Sequence, residues 1–214
     1  MSAPIEGLAA RWSDVVRPAG AGEAAAAALF DEIAQAYQAP ERHYHDLNHI
    51  AHLIGLSAHH AGTLNDRETV DLAIFFHDVI YDPLRADNEE RSAELARVRL
   101  TGLGLLPARV TTVARYIMAT KHVPAAKPPT EQDLAYVLDF DLSILAADRE
   151  TYGRYVSAIR REYAMVSDEA YRLGRAAVLR GFLARPHIFL TSALRAQWEA
   201  AARGNLASEL ARYG

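Results

Sequence analysis

Apolar side chains in this sequence recur at intervals of three and four, inside stretches cut to helical length by proline, glycine and capping residues. A period near 3.6 collects such residues on one face of a helix, whereas a half-buried strand needs a period of two. The pattern predicts an all-α fold, a compact multi-helix bundle. The first helix is expected over about 22 to 38, Ala-rich, with Leu29, Phe30, Ile33 and Tyr37 on one side and Pro40 beyond its end. Others are expected over about 46 to 61, 66 to 80 and 88 to 101, and from Pro107, which suits a first helical turn, to about His122. Further helices are expected over about 131 to 146, 148 to 164, 167 to 184 and 191 to 212. The connector VPAAKPPT, 123 to 130, is Pro-rich and long enough for a mobile loop. Ile188 to Thr191 has the composition of a small ribbon, but no run alternates long enough for a sheet.

Half of the 214 residues are hydrophobic, enough for one substantial core, so a single domain over 1 to 214 is expected. The formal net charge is only -4, which builds in no general attraction to nucleic acid or anionic lipid. The absence of cysteine excludes disulfides, thiolate metal sites and cysteine nucleophiles, and any metal must be held through nitrogen and oxygen. The N-terminal MSAPIEGLAARW has no basic leader before an apolar run, and no stretch approaches ~18 uncharged apolar residues. The expectation is a soluble, cytoplasmic protein with no membrane segment.

Several polar residues fall on the apolar faces. Val70, Ala73, Ile74 and His77 follow the i, i+3, i+4, i+7 spacing, and Asp78 lies four after Ile74. Leu134, Val137, Leu138, Asp141, Leu142 and Leu145 make one stripe that Asp141 interrupts; Asp139, roughly 200° away round the helix, is expected to face solvent. On the 46 to 61 helix, His49 lies near the edge of the arc of Leu47, Ile50, Leu53, Ile54 and Leu56. If that helix starts early enough, His45 stacks one turn from His49, a proton donor beside a ligand. An inward carboxylate beside an inward imidazole costs several kcal/mol unless something compensates it. A metal ion held by His49, His77, Asp78 and Asp141 is one compensation, and an unmetallated hydrogen-bond network is the other. Imidazole and carboxylate ligands suit Zn, Mn, Fe or Ni without separating them.

His49, then His77-Asp78 twenty-eight and twenty-nine positions on, then Asp141, resembles the H…HD…D signature of the HD-domain metal-dependent phosphohydrolases. The run RHYHDLNHIAHLI is similar to the first-ligand helix of cyclic-nucleotide phosphodiesterases, with aspartate in place of their asparagine. By that resemblance His45 matches the histidine that protonates the leaving group and His49 a metal ligand. FFHDVIYDP resembles the HD plus Glu-Asp segment of guanosine tetraphosphate hydrolases; Asp82 matches their aspartate, and Tyr81 stands where they have glutamate. YHDLNHI, FFHDVIYDP, DNEERSAEL, TKH and DFDLSIL together resemble a bacterial group described as predicted HD-superfamily metal-dependent phosphohydrolases, and YGRYVSAIRREY and ARGNLASEL extend the likeness into the last helices.

The resemblance implies one HD-type helical domain, its metal-binding core over about 42 to 146 and the helices over 148 to 212 completing it. It implies hydrolysis of a phosphoester or phosphoanhydride in a small substrate, a nucleotide in class, with one or two divalent ions (Mn, Zn, Fe, Ni or Mg). Asp78 would bridge to a second ion, His45 would be the general acid, and Asp82 would orient the water. Arg42, Asn88, Lys121 and His122 are candidate substrate contacts; a surface charge, an N-cap and a helix C-terminal cation are their bland alternatives. The tyrosines and arginines of the C-terminal third, among them Tyr152, Tyr155, Tyr171 and Arg175, are read as scaffold. Two rival functions remain. A di-iron oxygenase of the same fold places two further histidines between the HD pair and the last aspartate, where this chain has only His122. The other is a metal-containing protein that holds a nucleotide without cleaving it. Oligomeric state is not legible in the sequence.

Overall fold

The computed structural model describes residues 3 to 20, 22 to 122 and 129 to 213. These residues are all-α, with ten α-helices and no strand among them. They form two compact units, Met1–Lys121 and His122–Gly214. No described helix is long and apolar enough to cross a membrane. Of the connector at 123 to 130, residues 123 to 128 lie outside the described residues.

The first unit contains α1 (Ala3–Val16), α2 (Glu23–Tyr37), α3 (Leu47–His59), α4 (Arg67–Phe76), α5 (Asn88–Gly102) and α6 (Pro107–Ala119). Helix α1 was not expected from the sequence, although Leu8, Trp12, Val15 and Val16 carry a helical spacing and all four are buried. Trp12 is fully buried, donates its indole N–H to the Ala26 carbonyl at 2.8 Å, and meets Phe75 edge-on at 5.3 Å between ring centroids. Arg11 reaches Asp71 of α4 at 2.5 Å, and Asp71 also accepts from Ser57 of α3 and pairs with Arg67 at 3.5 Å. Burial raises the Asp71 carboxyl above the ordinary aspartate value, while Ser57, Arg11 and Arg67 work against the rise. This buried carboxylate ties α1, α3 and α4 together.

Two helix ends in this unit fall short of their expected positions. Helix α4 stops at Phe76, so His77 and Asp78 stand in the turn beyond it and not on its surface. Helix α6 stops at Ala119, where the Thr120 hydroxyl turns back onto the Ile117 carbonyl at 2.7 Å.

The second unit contains α7 (Gln132–Asp141), a short 3-10 helix (Leu142–Ala146), α8 (Arg149–Glu162), α9 (Asp168–Leu183) and α10 (Ser192–Leu210). Its core gathers Leu142, Leu145, Tyr152, Leu179, Ile188, Phe189, Ala202 and Leu206. Asp139 does not face solvent as its angular position suggested: it is fully buried. Residues from Asp133 to Phe140 are all buried, so α7 has no solvent face to offer. Asp139 accepts from the Leu190 and Thr191 amides at 2.7 and 2.8 Å and from the Thr191 hydroxyl at 2.7 Å. The Ile188 and Phe189 amides donate to Glu199 at 3.0 and 3.2 Å. Two carboxylates thus satisfy the backbone that a ribbon partner would otherwise have satisfied.

Glu209, 1% exposed, accepts from Arg175 at 2.8 and 3.0 Å, from Tyr152 at 2.5 Å and from Tyr213 at 3.2 Å. Burial pushes the Glu209 carboxyl up, but the guanidinium and the two hydroxyls outweigh it and hold it below the ordinary glutamate value. A depressed carboxylate lends stability that is present above its unfolded value and lost as pH falls through the folded one. Thermal unfolding across an acid titration is therefore expected to show a midpoint that falls below about pH 4.5, with a shallower fall in Glu209→Gln. Arg11→Ala, which leaves the buried Asp71 carboxylate with Ser57 and Arg67 alone, is expected to cost about 1 to 3 kcal/mol in denaturant unfolding.

Candidate metal centre

Asp46 begins the site. Its carboxylate accepts from the Asn48 and His49 amides at 2.8 and 3.2 Å, and this cap starts α3 at Leu47. His45 therefore lies ahead of the helix and not on it, so the one-turn stacking expected for an earlier start is not the geometry found. Its ring still comes within 6.1 Å of the His49 ring, centroid to centroid, and packs against Tyr81 at 4.3 Å. His49, in the first turn of α3, is buried.

The chain leaves α4 through a turn whose backbone is tied down at successive residues. The Tyr37 hydroxyl donates to the Phe75 carbonyl and accepts from the Asp78 amide, each at 3.2 Å. Arg42 donates to the carbonyls of Asp78, Val79 and His45 at 2.7, 2.9 and 3.1 Å, with its guanidinium over the Tyr37 and Tyr81 rings. Ser92 of α5 accepts from the Ile80 amide at 3.1 Å and donates to the Ile80 carbonyl at 3.2 Å. Asn88 accepts from the Asp82 amide at 3.1 Å and donates to the Asp82 carbonyl at 2.8 Å. A buried helix end leaves carbonyls and amides that must find partners, and these side chains supply them.

That turn brings His77 and Asp78 to His49. His49, His77 and Asp78 each offer a ligand atom, and the three atoms lie within 4.8 Å of one another. His49 Nε2 stands 3.2 Å from His77 Nε2, and His77 Nε2 stands 3.0 Å from Asp78 Oδ2. Donor atoms held ~2.1 Å from a shared ion are about 3.0 to 3.4 Å apart, so the spacing fits a common cation. His77 Nδ1 lies 2.9 Å from the Ile74 carbonyl, an acceptor only, so that nitrogen carries the hydrogen and Nε2 of the neutral ring presents a lone pair to the cluster. A lone pair facing a carboxylate and a second imidazole needs a hydrogen or a cation among them, and a shared cation satisfies all three groups at once. His45 Nε2 lies 4.0 Å from Asp78 Oδ2, beside the group. His52, one turn on from His49, is held below the ordinary histidine value by burial and then by His49.

The remaining expected site residues fall as follows. Asp82 is bound to Asn88 as described, and its carboxylate accepts from the Leu84 amide at 2.9 Å. Lys121 donates to the Ala86 carbonyl at 2.6 Å and to Glu90 at 2.5 Å. His122 and Asp141 belong to the second unit, where His122 Nε2 and Asp141 Oδ2 are 2.7 Å apart. His122 holds a positive φ of 50°, a left-handed conformation uncommon outside glycine. Periodicity assigns Tyr37 no role beyond packing, yet its hydroxyl is a tie of the turn; a tyrosine at the end of an apolar stripe was the available signal, since a buried hydroxyl needs a partner.

Comparison of the chain with protein-family models, curated proteins and solved structures finds no match.

Because Arg42 holds the carbonyls of the turn and touches no ligand atom of the cluster in its hydrogen bonds, Arg42→Gln is expected to leave the three ligands in place chemically yet loosen their geometry. Titration of the protein with Mn²⁺ or Zn²⁺ should then show affinity lowered by about 10 to 100-fold, the range for losing a group that orients ligands.

Proposed function

We propose that this chain is a metal-dependent phosphohydrolase of the HD type, acting on a small phosphorylated substrate, a nucleotide in class. The observation that carries the reading is the convergence of His49, His77 and Asp78 on one point, in the chain order of the resemblance, with His45 alongside. A divalent ion held there would lower the pKa of a bound water and stabilise charge on a phosphoryl oxygen.

The chain's own residues supply the rest. His49 and His77 offer neutral imidazole nitrogens, and the Ile74 carbonyl fixes which nitrogen of His77 is available. Asp78 adds negative charge, which favours a divalent cation over the protonated ring. His45 sits at the edge of the group, partly exposed and backed by the Tyr81 ring, placed to pass a proton to a leaving oxygen. In this proposal Asp82 orients the attacking water.

Metal analysis of purified protein beside a phosphate-release screen over nucleotides tests the reading. Manganese, zinc, iron or nickel is expected at one or two equivalents, with release from at least one nucleotide class. Asp78→Ala is expected to lose both metal and turnover. His45→Gln is expected to keep the metal while kcat drops by about 10² to 10⁴. Equal phosphate release by Asp78→Ala, or no release from any nucleotide by metal-loaded protein, would remove the proposal.

A further inference from the structure

The solvent face of α9 is apolar. Leu173 and Val178 are 67% and 48% exposed, and Met165, in the turn leading into the helix, is 59% exposed. Among the described residues of the second unit, the exposed large apolar side chains thus all gather on this one helix and its entry. At about 100° per residue, Leu173, Ala177, Ala170, Gly181, Gly174 and Val178 follow one another round an arc of about 140°, with no charge among them. The arc lies opposite the buried Tyr171, Ala176 and Leu179. A surface helix ordinarily carries its charged and polar residues on that side. Val98 of α5 shows the ordinary case: it is exposed, but between the exposed Arg97 and Arg99.

Residues of the arc match in pairs about a midpoint between Arg175 and Ala176: Ala170 with Gly181, Leu173 with Val178, and Gly174 with Ala177. A two-fold axis through that midpoint, at right angles to the helix, lays a second copy of α9 antiparallel on the first. Each edge of the arc then meets the same edge of the second copy. Leu173 falls beside Ala177 of the second copy and Val178 beside its Gly174, so a large side chain faces a small residue at both places. Charge selects the same arrangement. Glu169 and Arg180 stand on the Leu173 edge towards opposite ends of the helix, and neither makes an ion pair among the described residues, whereas Asp168 is taken by Arg160 at 2.6 Å. Antiparallel pairing brings each Glu169 to Arg180 of the other copy, while parallel pairing would set like charges at the same level.

We propose that α9 is a self-association surface, on which a second copy of this chain packs antiparallel through Leu173, Gly174, Ala177 and Val178 and is held in register by Glu169 and Arg180. The helix is 16 residues, about 24 Å, long, and one such face buries less than the ~800 Å² per partner of a tight interface, so the dimer is weak, with a Kd in the micromolar range. The inference does not rest on the hydrolase reading.

The test is sedimentation velocity of the full chain at low salt, from about 1 to 500 μM. The wild-type protein should pass from monomer to dimer across that range, and Leu173→Gln should weaken the dimer by about tenfold or more. Gly174→Arg places its side chain in space where an added Cβ meets nothing within 4 Å, so it should keep the thermal midpoint of the dilute protein and abolish the dimer. Glu169→Arg and Arg180→Glu should each weaken the dimer severalfold, and the two together should restore it. If Gly174→Arg melts well below the wild type, Leu173→Gln, at an exposed position, decides alone. A monomer at every concentration would overturn the proposal and give the face to a different protein. A dimer indifferent to Leu173→Gln and Gly174→Arg would overturn it by moving self-association to another surface, and a double reversal no tighter than either single one would overturn the antiparallel register.

Discussion

When α4 ends at Phe76, the amides and carbonyls of the residues that follow lose their helical partners inside a buried region, and every one left unpaired carries a desolvation cost. Tyr37, Arg42, Ser92 and Asn88 answer that need from α2, the segment before α3, and α5. The same bonds fix the direction in which the chain presents His77 and Asp78. The candidate centre is thus a by-product of satisfying a helix terminus: the groups that keep the turn from costing stability are the groups that aim the ligands. This also accounts for the placement of Arg42, whose charge is spread over three carbonyls and two aromatic faces.

The second unit solves a related difficulty with carboxylates. Residues 188 to 191 have no strand partner, yet their amides lead into α10 at a buried position. Asp139 and Glu199 take those amides, and Arg203 links Glu199 back to the turn after α9. Glu209 and Arg175 close the other part of the unit around Tyr152. Full hydrogen bonding lets these charged groups be buried, whereas a single missing partner would make each of them costly.

Much of this was legible from residue order. Helical periodicity announced most of the helices, and the polar interruptions at His49, His77 and Asp78 announced that inward imidazoles and a carboxylate needed compensation. What escaped was of two kinds. Helix α1 lies outside the expected helices although Leu8, Trp12, Val15 and Val16 carry the pattern. Asp139 was turned the wrong way because an angular argument assumes that a helix has one wet face, and α7 has none.

The sequence by itself determined that the chain is helical, that its metal ligands, if any, are nitrogen and oxygen, and which imidazoles and carboxylates cannot rest on apolar faces without help. These follow from side-chain chemistry and from a period that neighbouring residues set among themselves. Only the tertiary structure decided where α3 begins and α4 stops, that His77 and Asp78 sit in a turn, and which side chains hold that turn. Those outcomes depend on partners distant in the chain, such as Tyr37 and Arg42 for Asp78, and a hydrogen bond formed across such separations leaves no periodic trace in the sequence.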